Sequence, residues 1–146
     1  MTPTDQGPLV GMAVLCQAVQ RREDGTMDVL GIAEGVVLEP PSPSEGDPLG
    51  LRPVAVLPLR LLVSLRAGAA RGPCRIDIVG RYPAGNAGPS TAVQVEFSDD
   101  RPGATVNVPI ELRVHEPGVY RFDVLAAGRL VTTVPLTVLY RAAPVM

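Results

Sequence analysis

From Val106 to Glu116 the chain alternates in steps of two: Val106, Val108, Ile110, Leu112 and Val114 are apolar, while Asn107, Pro109, Glu111, Arg113 and His115 fall between them. Successive side chains of a strand point to opposite faces, so this pattern predicts a strand with one face in a core. The same test sets Cys74, Ile76, Ile78, Gly80 and Tyr82 inward against Arg75, Asp77, Val79 and Arg81, and Val93, Val95 and Phe97 inward against Gln94, Glu96 and Ser98. In GVYRFDV, Tyr120, Phe122 and Val124 alternate with Arg121 and Asp123. No stretch repeats its apolar residues at helical spacing.

Turn residues separate these runs. Glu23-Asp24-Gly25 sits between GMAVLCQAVQ and TMDVLGIAEGVVL and predicts a hairpin. Ala126-Ala127-Gly128 does the same between the last two strands, with Gly128 in the position that wants a left-handed backbone. Arg71-Gly72-Pro73, the segment Pro83 to Ser90 and SDDRPG at Ser98 to Gly103 punctuate the middle. About eight strands at such spacing imply two packed antiparallel sheets.

Two segments are less regular. In VAVLPLRLLVSLRA, Val54 to Ala67, the residues Ala55, Leu57, Leu59, Leu61, Val63 and Leu65 share one face, but Val54, Val56 and Leu62 make the second face greasy as well. Pro58 lacks an N–H for the ladder, which places this strand at an edge or bulges it there. A strand apolar on both sides is covered by a loop or meets another chain, so Val54, Val56 and Leu62 are the candidate interaction surface. EPPSPSEGDPLGLRP, Glu39 to Pro53, reads as a stiff crossover between sheets, with a partner-binding loop as the alternative.

Composition narrows the function classes. A chain of 146 residues is one domain with enough core to fold without staples. Every one of its 13 basic residues is Arg, which signals a GC-rich, bacterial genome and removes Schiff-base and lysine general-base chemistry. A net charge of −2, with Arg21-Arg22 followed by Glu23-Asp24, offers no basic stripe for nucleic acid, and no apolar run approaches the roughly 20 residues of a membrane span. LVGMAVLC resembles a lipoprotein signal superficially, but no positive charge precedes it and Leu15 stands where a small residue belongs. The expected place is the cytoplasm, with residues 1–11 a flexible N-terminal extension, 12–141 the sandwich and 142–146 a tail.

Candidate chemistry is sparse. His115 is the lone imidazole and lies on the outward parity, the serines show no GxSxG elbow, and the one basic residue adjoining a cysteine, Arg75 beside Cys74, falls on the opposite parity. Cys16 and Cys74 read as reduced, buried small hydrophobes, and with one His they cannot complete a zinc tetrahedron. Asp47, Asp99 and Asp100 are the candidate Ca²⁺ ligands, since sandwich loops can use such carboxylates, although turn-forming Asp explains the same pattern. There is no Trp, and Tyr82, Phe97, Tyr120 and Phe122 fall on core parity, which argues against a sugar or base-stacking platform.

AVLCQAVQRREDGTMDVLGIAEGVV, a short Cys-bearing strand followed by a DG turn and an LGI strand, resembles the opening of a family of small, functionally uncharacterised bacterial proteins. EPGVYRFDVLAAGRL is similar to that family's final hairpin and to many immunoglobulin-like sandwiches. The resemblance spans most of Met12 to Tyr140 and implies an all-β, immunoglobulin-like antiparallel sandwich without an active site. The reading is therefore a non-enzymatic interaction or structural module that needs no cofactor and meets a protein partner or a second copy. Its alternative is a small-ligand or Ca²⁺-binding module.

Overall fold

The structure, a computed structural model, describes residues 7–40 and 53–141. All regular elements among the described residues are strands: β1 (Leu9–Cys16), β2 (Ala18–Arg21), β3 (Met27–Leu30), β4 (Gly35–Leu38), β5 (Ala55–Arg66), β6 (Gly72–Arg81), β7 (Ala87–Phe97), β8 (Gly103–Val114), β9 (Gly118–Ala126) and β10 (Arg129–Tyr140). A three-stranded sheet has the order β1-β5-β8, a five-stranded sheet the order β4-β10-β9-β6-β7, and β2-β3 form a separate hairpin.

Alternation explains how the two sheets meet. Leu59, Leu61, Val63 and Leu65 of β5 and the even-numbered apolar residues of β8 face Cys74, Ile76 and Ile78 of β6, Tyr120, Phe122 and Val124 of β9, and Val134, Leu136 and Val138 of β10. Each side chain of this size, fully buried, contributes about 1.5–3 kcal/mol of transfer free energy, so the shared core holds the layers together. The parity expected for β6, β8 and β9 is the one observed.

The chain order through the two layers, together with a corner at the start of β9, makes this an immunoglobulin-like sandwich. The Tyr120 hydroxyl donates to the Glu116 carbonyl at 2.6 Å, tying the β9 strand to the turn that delivers it. Between them Gly118 has φ 138°, and a Cβ there would lie 2.8 Å from the Pro83 Cβ, so only glycine fits without displacement. The β9–β10 turn places Ala127 at φ 49° and Gly128 at φ 81°. Two positive φ values in a row are what a two-residue type I′ hairpin requires.

The structure refines several expectations. The two N-terminal strands are each broken, giving ten strands where about eight were expected. The second half of the break carries the chain across the side of the sandwich, where β4 pairs parallel with Thr137–Tyr140 of β10; the sandwich is therefore not wholly antiparallel. The Glu-Asp-Gly turn does close a hairpin, β2 with β3, at the point of crossing. Leu9, Val10 and Gly11 belong to β1, paired with β5, so the sandwich starts before Met12 and those residues are not part of a loose extension.

The strand bearing Pro58 is not an edge strand: β5 is the centre of the small sheet and runs past Pro58 in unbroken register with β8. Pairing with β1 stops at Arg60, however, so at Pro58 one side of β5 is open. The same rule covers the other strand prolines. Pro73 precedes the part of β6 that pairs with β9, Pro135 precedes the part of β10 that pairs with β4, and Pro89 and Pro109 are on the outermost strands of their sheets. A residue without an N–H is tolerated where no neighbour asks for one.

Candidate interaction edge

The strand order puts β4 and β7 at the edges of the large sheet and β1 and β8 at those of the small one. β4 is only four residues long and β1 is bridged at Leu15 to Ala33, which leaves β7 and β8 as the long edges that no further bridge engages among the described residues. They differ in what they present. β8 carries Pro109 near its middle and alternates Glu111 and Arg113 outward, with 3.8 Å between their charged groups. Proline and charge are the common means of stopping an edge from pairing with another chain. β7 has Pro89 near its start, and then Ser90-Thr91-Ala92-Val93-Gln94-Val95 with no proline and no charge before Glu96. Ser90, Thr91, Ala92 and Gln94 are exposed, while Val93 and Val95 pack against the core margin.

Regular pairing holds β7 straight over this stretch. From Ser90 to Phe97 it matches β6 residue by residue, and the register shifts only beyond Val79, beside Gly80. Among the described residues no backbone hydrogen bond beyond the β6 ladder engages Ser90 to Phe97. Sequence alternation locates this strand but not its place in the sheet. The signal that was available is the seven-residue interval from Ser90 to Glu96, β-prone and nearly neutral.

The structure separates the three residues of the expected interaction surface. Val56 is 46% exposed and Val54 half-buried, but Leu62 is fully buried. Leu62 lies in the middle of the central strand, in register with Val14 on one side and Asn107 on the other, and the Arg60 guanidinium crosses beside it to donate to Asn107 Oδ1 at 3.0 Å. It offers nothing to a partner. Val56, Pro58, Arg60, Pro109 and Glu111 line a shallow concavity of about 430 Å³ on this face. A second, smaller groove of about 250 Å³ runs between β1 and β10, lined by Val14, Leu15, Ile32, Glu34, Val134 and Pro135.

Of the candidate metal ligands, Asp47 lies outside the described residues. Asp99 accepts a hydrogen bond from Arg71 Nε at 2.9 Å, and Asp100 is exposed in the same turn. Among the described residues no three His, Cys, Asp or Glu side chains gather as a metal site would need. His115 is exposed, and its backbone carbonyl accepts the Tyr140 hydroxyl at 3.3 Å.

Both thiols are free and buried. Cys74 faces the inter-sheet core, whereas Cys16 lies on the opposite face of the small sheet, since its neighbour Leu15 points inward. Burial pushes the Cys16 thiol up from its ordinary value, against the smaller opposing influences of the Arg60 charge and the Ala18 backbone. A raised pKa disfavours the thiolate, so this sulfur is not activated as a nucleophile.

No protein-family model matches the sequence, and no curated protein matches it. Among solved structures, the chain is similar to an immunoglobulin-like protein from Pseudomonas aeruginosa, at 12% identity over 92% of this chain and 98% of that one, with a TM-score of 0.42. It is also similar to part of the Pseudomonas fluorescens alkylpurine DNA glycosylase AlkC, solved bound to DNA containing an abasic site analog. That match has 11% identity, covers 87% of this chain and 30% of that one, and has a TM-score of 0.45. This chain thus spans less than a third of the glycosylase.

Proposed function

We propose that the chain is a non-enzymatic β-sandwich module that works by binding protein, with the free side of β7 as its contact. The observation that supports this reading is the contrast between the two long edge strands: β8 carries proline and charge along its length, and β7 leaves from Ser90 to Val95 an uninterrupted, uncharged ladder of backbone donors and acceptors. Strand addition at such an edge draws affinity from main-chain hydrogen bonds and selectivity from the alternating side chains.

Site-specific photo-crosslinking in the host cell tests it. A photoreactive residue at Gln94 is expected to yield a covalent adduct of defined mass, and one at Thr105 on β8 is not. If Gln94 gives no adduct, or both positions give the same diffuse products, the reading fails.

A further inference from the structure

Resting on that reading, we infer that the partner at β7 is a second copy of the same chain, joined antiparallel about a two-fold axis at Val93. The pleat limits the choices. Residues that face each other across an antiparallel pair must lie on the same face of the sheet, so a two-fold edge pairing has to centre on a residue and not between two. The regular part of β7 starts at Ser90, because Pro89 has no N–H and the register shift at Gly80 lies just beyond.

A centre at Val93 uses that regular part fully. Thr91 then meets Val95 of the second copy on the inner face, giving β-branched pairs that suit a pleated surface. On the outer face Ala92 meets Gln94 of the second copy, and Ser90 meets Glu96 of the second copy. Charge decides the register: Glu96 is the one charged residue of the strand, and this centre puts it against a hydroxyl that can donate to it, with no like charges opposed. A centre at Gln94 would instead set Glu96 against the Ala92 methyl. The strand is thus complementary to itself, and the product is one continuous sheet built from the two five-stranded sheets.

Light scattering of the full chain over a concentration series tests the inference. The wild type is expected to pass from monomer to dimer mass as concentration rises. Ala92→Lys sets cations on either side of the axis and is expected to move the midpoint to at least about tenfold higher concentration. In Ala92→Lys/Gln94→Glu each new cation faces a new carboxylate of the second copy, and the midpoint is expected to return towards the wild-type value.

Thr105→Lys on β8 controls for added charge and is expected to leave the midpoint in place, and circular dichroism checks that each variant keeps its strands. A wild type that stays monomeric throughout, a dimer indifferent to Ala92→Lys, or a double variant that is not restored overturns the inference. An adduct at Gln94 with a mass other than the chain's own, in a protein that stays monomeric, overturns the second copy and leaves the interaction reading standing. Absence of any adduct removes both.

Discussion

Tyr120 donates its hydroxyl to the carbonyl of Glu116, four residues earlier, at 2.6 Å while its ring packs edge-on against Tyr82 with centroids 5.7 Å apart. The two contacts can be separated by substitution. Tyr120→Phe keeps the ring and removes the bond, and is expected to lower stability by about 1 kcal/mol in urea unfolding with an unchanged slope. Tyr120→Ala also leaves a cavity in the core and is expected to lose about 3–5 kcal/mol. Equal losses from both variants would show that the ring contributes nothing and would contradict its burial.

Gly118→Ala tests the same corner from the backbone. Its φ of 138° is one that L residues rarely adopt, and the added methyl would meet Pro83. A loss of about 1–3 kcal/mol is expected, with hydrogen exchange accelerating at the start of β9 ahead of the rest of the sheet.

Leu62 and Val56 stand six residues apart on the same parity of β5, and the fold treats them oppositely. Leu62→Ala removes a fully buried side chain flanked by two strands and is expected to destabilise by about 2–5 kcal/mol. Val56→Ala alters an exposed one and is expected to stay within about 0.5 kcal/mol. Thermal unfolding of the two variants makes the comparison, and similar midpoints would deny the burial of Leu62.

That contrast shows what a periodic pattern can and cannot report. Alternation locates the inward faces of β6, β8 and β9 because a half-buried strand writes its burial into every second residue. It is silent about neighbours in the sheet, which are chosen by distant parts of the chain: the pairing of β4 with β10, the central place of β5 and the free side of β7 are all set by contacts across many residues. Pro58 illustrates the loss. One missing N–H reads as an edge, whereas the open side is local, created by the end of β1. Likewise the turn at Gly25 was legible, but the crossing from one sheet to the other after it was not.

Stability is expected to fall in alkali. Cys16 is raised above its ordinary value near 9, and Tyr120 and Tyr140 above theirs near 10, each chiefly by burial. The unfolded chain therefore gives up these protons first as pH rises, so their contribution is fully present below the ordinary values and drains away above them. Cys16→Ala should remove the earliest part of that decline, beginning near pH 9, while the later part attributable to tyrosine persists. A denaturation midpoint that is flat from neutrality into strong alkali, or a decline unchanged by Cys16→Ala, would contradict this assignment.

Calcium is expected to have no effect at Asp99. A Ca²⁺ ion wants six to eight oxygen ligands, and the group nearest this carboxylate is a guanidinium. Arg71 is held there by more than its charge: Nε donates to Asp99, and Nη1 donates to the Gly68 carbonyl at 3.0 Å and the Ala70 carbonyl at 2.7 Å. The loop carbonyls that might otherwise turn towards a cation are thereby already engaged. The pair itself is weak, because the Asp99 side chain is 91% exposed and water screens it, so Asp99→Asn is expected to change stability by less than about 0.5 kcal/mol. Arg71→Ala also removes the two carbonyl contacts and is expected to lose more, about 1 kcal/mol. Thermal midpoints measured in excess Ca²⁺ and in EDTA should coincide for the wild type and for Asp99→Asn. A saturable rise with Ca²⁺ that Asp99→Asn abolishes would show that the carboxylate exchanges its arginine for a metal.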